Sequence, residues 1–243
     1  MEKEFNYVEH YKTDAEEFDY FETRTGATQH DERRLHEYII SRIKNNNGAI
    51  LDVGCGSAWV AAHFLKQNFN VYSLDISFIN PKKALNKYPS NKHSGITADC
   101  YDLPFKNNSF DIIIASEIIE HLLFPDKFAA SLFRTLKPGG NLIITTPYKE
   151  VIKYYLCIHC NRKTPVNAHL HSFDENILAN LYKSKDLESV KWETFGNKLL
   201  IFLRTYVLLK FLPFRLWKML DKIVNLFYNN TAHIILIYRK EAD

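Results

Sequence analysis

From residue 49 onward, short apolar runs alternate with stretches of helical spacing. Apolar or alternating runs near 49–53, 70–75, 95–98, 111–115 and 141–146 predict strands. The intervening stretches predict helices near 57–67, 81–88, 117–122 and 126–136, with Pro81 suited to a first helical position. A helix near 174–183 should start at Ser172 or Asp174, and Ser189–Thr194 and His233–Tyr238 should form the last two strands. Alternating strands and helices argue for a parallel sheet, and right-handed crossovers make it doubly wound. Ahead of this core, residues 31–44 place Leu35, Tyr38, Ile39 and Ile43 on one helical face. Residues 1–30 are polar and aromatic, with Phe18, Tyr20, Phe21, Arg24 and Gly26.

Residues 197–229 break the alternation. Leu199–Phe214 is apolar, but Arg204 and Lys210 interrupt any run long enough to span a bilayer. Beyond Pro213, Arg215, Lys218, Lys222 and Asn225 share one helical face, and Leu216, Leu220, Ile223 and Phe227 the opposite one. Asp221 is the only acid there. A basic amphipathic segment of this kind suits a membrane surface or a partner. It equally suits a helical cover over the sheet or the pocket.

The chemistry starts at Ala49-Ile50-Leu51-Asp52-Val53-Gly54-Cys55-Gly56-Ser57-Ala58, a strand ending in an acid and a glycine turn. Asp75 ends the next strand, placed to accept both hydroxyls of a ribose. A nucleoside cofactor at the carboxyl edge of the sheet follows. Dinucleotide binders keep a small residue where Trp59 stands, so a nicotinamide cofactor is not expected.

The string resembles motif I of the class I S-adenosylmethionine-dependent methyltransferases, D/E-x-G-x-G-x-G, with Asp52, Gly54 and Gly56 matching and Ala58 replacing the third glycine. Ala98-Asp99-Cys100-Tyr101-Asp102-Leu103-Pro104-Phe105, then Phe110-Asp111, Ser116-Glu117-Ile118-Ile119-Glu120-His121-Leu122 and Lys137-Pro138-Gly139-Gly140 continue the likeness over residues 45–150. The resemblance implies a Rossmann-like α/β fold: a seven-stranded, mostly parallel sheet with an antiparallel last strand and a helical insertion before it. One domain would fill 1–243, with a helical lid (1–44), a cofactor-binding core (45–150), a substrate-side loop, helix and strand (151–196), the amphipathic insertion (197–229) and the last strand (230–243). It also implies that Asp52, Gly54 and Gly56 flank the methionine part of S-adenosylmethionine. Asp75 would bind its ribose, Asp99 and Cys100 its adenine, and Ser116 would stand near the sulfonium.

Two clusters could act on an acceptor. Glu117, Glu120 and His121, spaced as one helical turn, are candidates for general-base chemistry or for a divalent cation. The spacing resembles the E-x-x-E-H site of ubiquinone-pathway O-methyltransferases and small-RNA 2′-O-methyltransferases. Cys157 and Cys160, with nearby imidazoles, have zinc-ligand chemistry. With His169 they resemble a loop of glycan- and natural-product-type methyltransferases, although Pro165 and Ala168 depart from it.

Composition narrows the partners. A net charge of +3 without a basic stripe argues against nucleic acid. The first residues lack an apolar signal region, so a cytoplasmic protein is expected, peripheral at the inner membrane surface if the insertion meets lipid. Methyl transfer to a hydroxyl of a sugar, quinol or lipid-linked precursor fits best. N-methylation of a small amine and a non-catalytic methyltransferase-like binding module are the rivals. Oligomeric state is not legible.

Overall fold

The computed structural model describes residues 5–242. Helices α1 (Tyr7–Glu17) and α2 (Gly26–Ile40) precede β1 (Gly48–Val53), α3 (Trp59–Phe64), β2 (Phe69–Asp75), α4 (Ile79–Lys87) and β3 (His93–Thr97). Then come β4 (Phe110–Ser116), α5 (Pro125–Thr135) and β5 (Leu136–Pro147), followed by a hairpin of β6 (Tyr154–Leu156) and β7 (Lys163–Pro165). The chain ends with α6 (Glu175–Ala179), β8 (Leu187–Asn197), α7 (Lys198–Phe202), α8 (Tyr206–Leu209), α9 (Phe214–Phe227) and β9 (Thr231–Lys240). The main sheet has seven strands in the order β3-β2-β1-β4-β5-β9-β8. Strands β1 to β5 pair in parallel, and β9 runs antiparallel to both β5 and β8.

Successive strand residues serve opposite faces, as the pleat requires. Leu51, Ile113 and Leu142 face α5 and α6, whereas Ile50, Ile112 and Ile143 face α2, α3 and α9. The predicted Rossmann-like doubly wound sheet, with its antiparallel last strand and the helical insertion before it, is therefore the observed one. The β6–β7 hairpin has no strong hydrophobic signature and was not expected.

Three predicted helices are shorter. The one at 57–67 starts at Trp59, because Ala58 takes a left-handed conformation with φ 57°. The one at 174–183 closes after Ala179; Asp174 caps it, accepting from the backbone N–H of Asn176 at 2.9 Å and of Ile177 at 2.8 Å. The one at 117–122 is only a 3-10 turn over Ile119–His121, because Glu117 is left-handed at φ 54°. The expected single helical face for Glu117, Glu120 and His121 is therefore absent.

The insertion also differs from expectation. Helix α9 turns Trp217, Lys218, Asp221 and Asn225 inward and leaves Leu216, Met219, Ile223, Leu226 and Phe227 exposed. Buried Asp221 accepts the backbone N–H of Gly196 at 3.1 Å and of Asn197 at 2.7 Å, which joins α9 to the end of β8. Arg34 on α2 is 1% exposed and donates to the Leu209 and Leu212 carbonyls at 2.7 and 2.9 Å. Its guanidinium also lies 5.0 Å from the Trp217 ring centroid.

His233 on β9 joins α2 to the edge of β4. Its Nε2 lies 2.9 Å from Asp31 Oδ2 and its Nδ1 lies 3.5 Å from Glu117 Oε2. Burial alone would lower the pKa of this imidazole, but the two carboxylates overcome that and raise it to about 10.

Two outcomes follow for stability. Asp221→Ala leaves two buried N–H donors unmatched and should cost about 2–4 kcal/mol in denaturant unfolding. The folded pKa of His233 lies above its ordinary 6.5, so its stabilisation is complete below pH 6.5 and is lost as pH rises through about 10. Wild type should lose stability across that window more steeply than His233→Gln, and parallel slopes would remove the assignment.

Candidate active site

A cavity of about 590 Å³ opens at the carboxyl ends of β1, β2 and β4. The strand order reverses beside β1: β2 and β3 lie on one side of it, and β4 and β5 on the other. Ligands of open α/β sheets bind at such a reversal. Asp52, Gly54, Gly56, Asp75, Cys100 and Ser116, all expected at the cofactor, line the cavity.

The glycine turn keeps its wall open. Gly54 has φ 65°, and a Cβ there would lie 1.8 Å from Ile118 Cδ1. Gly56 has φ 43°, and a side chain in either place would be strained. Ala58 adopts the left-handed backbone that the family's third glycine would take freely, a strain of about 1–2 kcal/mol.

The acids differ in their surroundings. Asp75 accepts from the Ser77 N–H at 3.0 Å and from the Asn80 side-chain amide at 3.1 Å, and burial raises its pKa. Asp52 is fully buried, and among the described residues its Oδ2 has no partner. Burial first, and then the neighbouring Asp75, hold its pKa well above the carboxylate range. Asp99 is not part of the cavity wall; it accepts the Tyr7 hydroxyl and the Tyr101 N–H instead, the latter at 2.9 Å. Ser116 Oγ pairs with Thr145 Oγ1 at 3.0 Å.

Helix α1 and the turn after it form the roof. Tyr11 donates to the His121 carbonyl at 3.2 Å, Tyr20 donates to Asp14, and all three of Tyr11, Asp14 and Tyr20 line the cavity. His36 of α2 stacks on Trp59 at 4.0 Å with 12° between the rings. Burial lowers the His36 pKa to about 4, which keeps it neutral.

On the β4 side, Glu117 and His121 line the cavity. His121 is neutral at pH 7: burial, and next the adjacent His169, lower its pKa to about 4. Its Nδ1 lies 3.4 Å from the Ala168 carbonyl. A carbonyl only accepts, so Nδ1 carries the proton and Nε2 keeps the lone pair.

Glu120, His121 and His169 offer one ligand atom each, all within 4.8 Å of one another. Glu120 is wholly buried; desolvation, with Glu117 next, drives its pKa well up, while its Oε2 accepts from Thr146 at 2.9 Å. His169 Nδ1 pairs with Glu150, leaving Nε2 directed elsewhere.

Among the described residues this grouping differs from both expected ligand sets. His169 joins Glu120 and His121 rather than Cys157 and Cys160, and the thiols sit on the hairpin loop between β6 and β7. Glu117 turns toward His233. Spacing gave no signal for Glu150, Asp31, His233 or Tyr11, because each meets the site from a distant part of the chain.

Residues 51–144 match the family described as "Methyltransferase domain". A ubiquinone biosynthesis O-methyltransferase of Rickettsia prowazekii is 35% identical over 117 residues, covering 45% of this chain and 46% of that protein. The chain spans about half the length of the curated relatives it matches. Among solved structures, the [4+2]-cyclase SpnF has a TM-score of 0.63 at 19% identity, over 91% of this chain and 85% of that one. An S-adenosylmethionine dependent methyltransferase from Mesorhizobium loti has a TM-score of 0.58 at 16% identity, over 86% of this chain and 99% of that one. At such identities the likeness to solved structures concerns the fold alone. The five motifs, the matched segment and the strand order together make this chain similar to the class I S-adenosylmethionine-dependent methyltransferases.

Proposed function

We propose that the protein transfers a methyl group from S-adenosylmethionine to a hydroxyl oxygen of a small-molecule acceptor, in the sugar, quinol or lipid-linked class. The observation that carries this reading is a neutral imidazole, His121, on the wall of the cavity that also holds the strand-end acids. The relatives described as O-methyltransferases support oxygen over an amine nitrogen.

The chain's residues fit the cofactor. The unpartnered Asp52 oxygen suits a cationic ligand, and the Asp75 carboxylate can accept a ribose diol. The bare backbone at Gly54 and Gly56 allows close approach. When bound, S-adenosylmethionine supplies a methyl group already activated on a sulfonium. The protein must then align the acceptor and exclude water, and alignment alone contributes up to about 7–11 kcal/mol. His121 Nε2 would take the hydroxyl proton. The Ala168 carbonyl fixes its tautomer, and Tyr11 holds the His121 backbone from the roof.

A second reading concerns the same cluster. Glu120, His121 and His169 would hold a divalent cation beside the acceptor, because three acceptor groups converge there. The pairing of His169 Nδ1 with Glu150 is the outer support that a ligating imidazole commonly has. Two imidazoles and a carboxylate suit zinc, manganese or iron(II) more than magnesium.

Calorimetric titration with S-adenosylmethionine and S-adenosylhomocysteine should show micromolar binding of both; folded protein that binds neither would end the proposal. Asp75→Ala should weaken both at least about tenfold, since it removes a charge-assisted hydrogen-bond acceptor worth roughly 1.5–3 kcal/mol. His121→Ala should keep cofactor affinity and lower turnover of a hydroxyl acceptor about 10²–10⁴-fold. For the cation, wild type but not His169→Ala should gain melting temperature with zinc or manganese. Equal responses in the two proteins would remove the site.

A further inference from the structure

The insertion presents an apolar face that nothing among the described residues covers. On α9 the residues Leu216, Met219, Ile223, Leu226 and Phe227 follow helical spacing along one arc, and Leu226 and Phe227 are 83% and 87% exposed. The segment before α9 adds Phe202, Leu208 and Phe211, exposed to 82%, 75% and 77%. Core-facing helices bury their apolar arc, whereas here the inward arc is the one carrying Lys218, Asp221 and Asn225. An exposed patch of this kind marks an interaction surface.

Charge identifies the partner. Residues 197–229 hold Lys198, Arg204, Lys210, Arg215, Lys218 and Lys222 against one acid, Asp221. That acid is buried and spent on the backbone of β8. Lys218 and Lys222 pair with Glu193 at 3.0 and 3.1 Å. Among the described residues, Lys198, Arg204, Lys210 and Arg215 form no salt bridge. Arg215 and Lys222 fall on the rim of the α9 apolar arc, where they can reach headgroups while the arc enters the acyl boundary. A second copy of the chain would instead bring two strongly basic faces together. No helix among the described residues is long and apolar enough to cross a membrane, so the geometry is that of a helix lying in the surface plane.

We infer that the outward face of residues 198–227 docks on an anionic lipid bilayer. The attachment behind this face runs through buried polar contacts. Arg34 fastens the 209–212 carbonyls to α2, and Leu35 and His36 of the same helix line the cavity. Docking therefore fixes how the cavity sits relative to the lipid. That it delivers an amphiphilic acceptor rests on the methyl-transfer reading; the docking itself does not.

The test is sedimentation of the full chain with phosphatidylcholine vesicles, with and without phosphatidylglycerol, at low and high salt. Wild type should bind only the anionic vesicles and be released by salt. Lys210→Glu with Arg215→Glu should weaken binding about 25-fold or more, from roughly fivefold for each basic residue near the surface. Leu226→Ser with Phe227→Ser should also weaken it. Both double variants change exposed side chains and should keep the wild-type melting temperature and S-adenosylhomocysteine affinity.

Failure of wild type to sediment with anionic vesicles would overturn the inference, as would binding that ignores both double variants. So would a wild-type dimer that Leu226→Ser with Phe227→Ser dissociates in ultracentrifugation, because the face would then belong to a second copy. If vesicle binding holds while S-adenosylhomocysteine does not bind, the docking surface stands and the methyl-transfer reading fails.

Discussion

The reversal of strand order beside β1 is the constraint on which the site depends. Chain connections leave β1 in one direction and return to β4 on its other side, so no crossover helix fills the crevice between their carboxyl ends, and α1 roofs it. Buried acids collect there: Asp52 and Asp75 at the ends of β1 and β2, with Glu120 just after β4. Asp52 is buried with an unmatched oxygen, and Glu117 is held in a left-handed conformation, each a cost of about 1–3 kcal/mol. Such costs persist only where surrounding structure over-determines them. The flanking strands Ile50–Val53 and Ile112–Ala115 are almost wholly excluded from solvent and provide that support.

The strands and cofactor motif were legible because their causes are local. A strand buried on both faces needs an unbroken apolar run, and a glycine turn needs glycines, so both leave a mark within ten residues. What escaped depends on distance in sequence or on symmetry. Glu117 leaves the expected helix at the end of β4 and faces His233 and, through it, Asp31. No spacing rule connects those three positions. His169 fits a cysteine-histidine pattern by sequence, yet the fold carries it to Glu120 and Glu150. For α9, periodicity separated an apolar arc from a polar one but could not say which turns inward. Two N–H donors at Gly196 and Asn197 decide it, because Asp221 must face them.

Fold and reaction separate clearly in this molecule. SpnF, described as a cyclase, and the Mesorhizobium loti methyltransferase share the architecture with this chain at less than one fifth identity. The shared sheet therefore does not fix the reaction, which the proposed roles assign to residues after β4. Those residues are a neutral His121, a buried Glu120 and a His169 supported by Glu150.

Helix α2 ties these parts together because consecutive helical positions point 100° apart. Asp31 reaches His233, Arg34 reaches the insertion, and Leu35 and His36 reach the cavity, all within two turns. Trp59 gives this arrangement its reason. Its bulk stands where a dinucleotide-binding turn needs a small residue, and the ring stacks on His36. The Trp59 ring thus also supplies part of the surface on which α2 rests. With α2 fixed there, Arg34 can hold the insertion by its backbone carbonyls, and the outward side chains of α9 stay exposed.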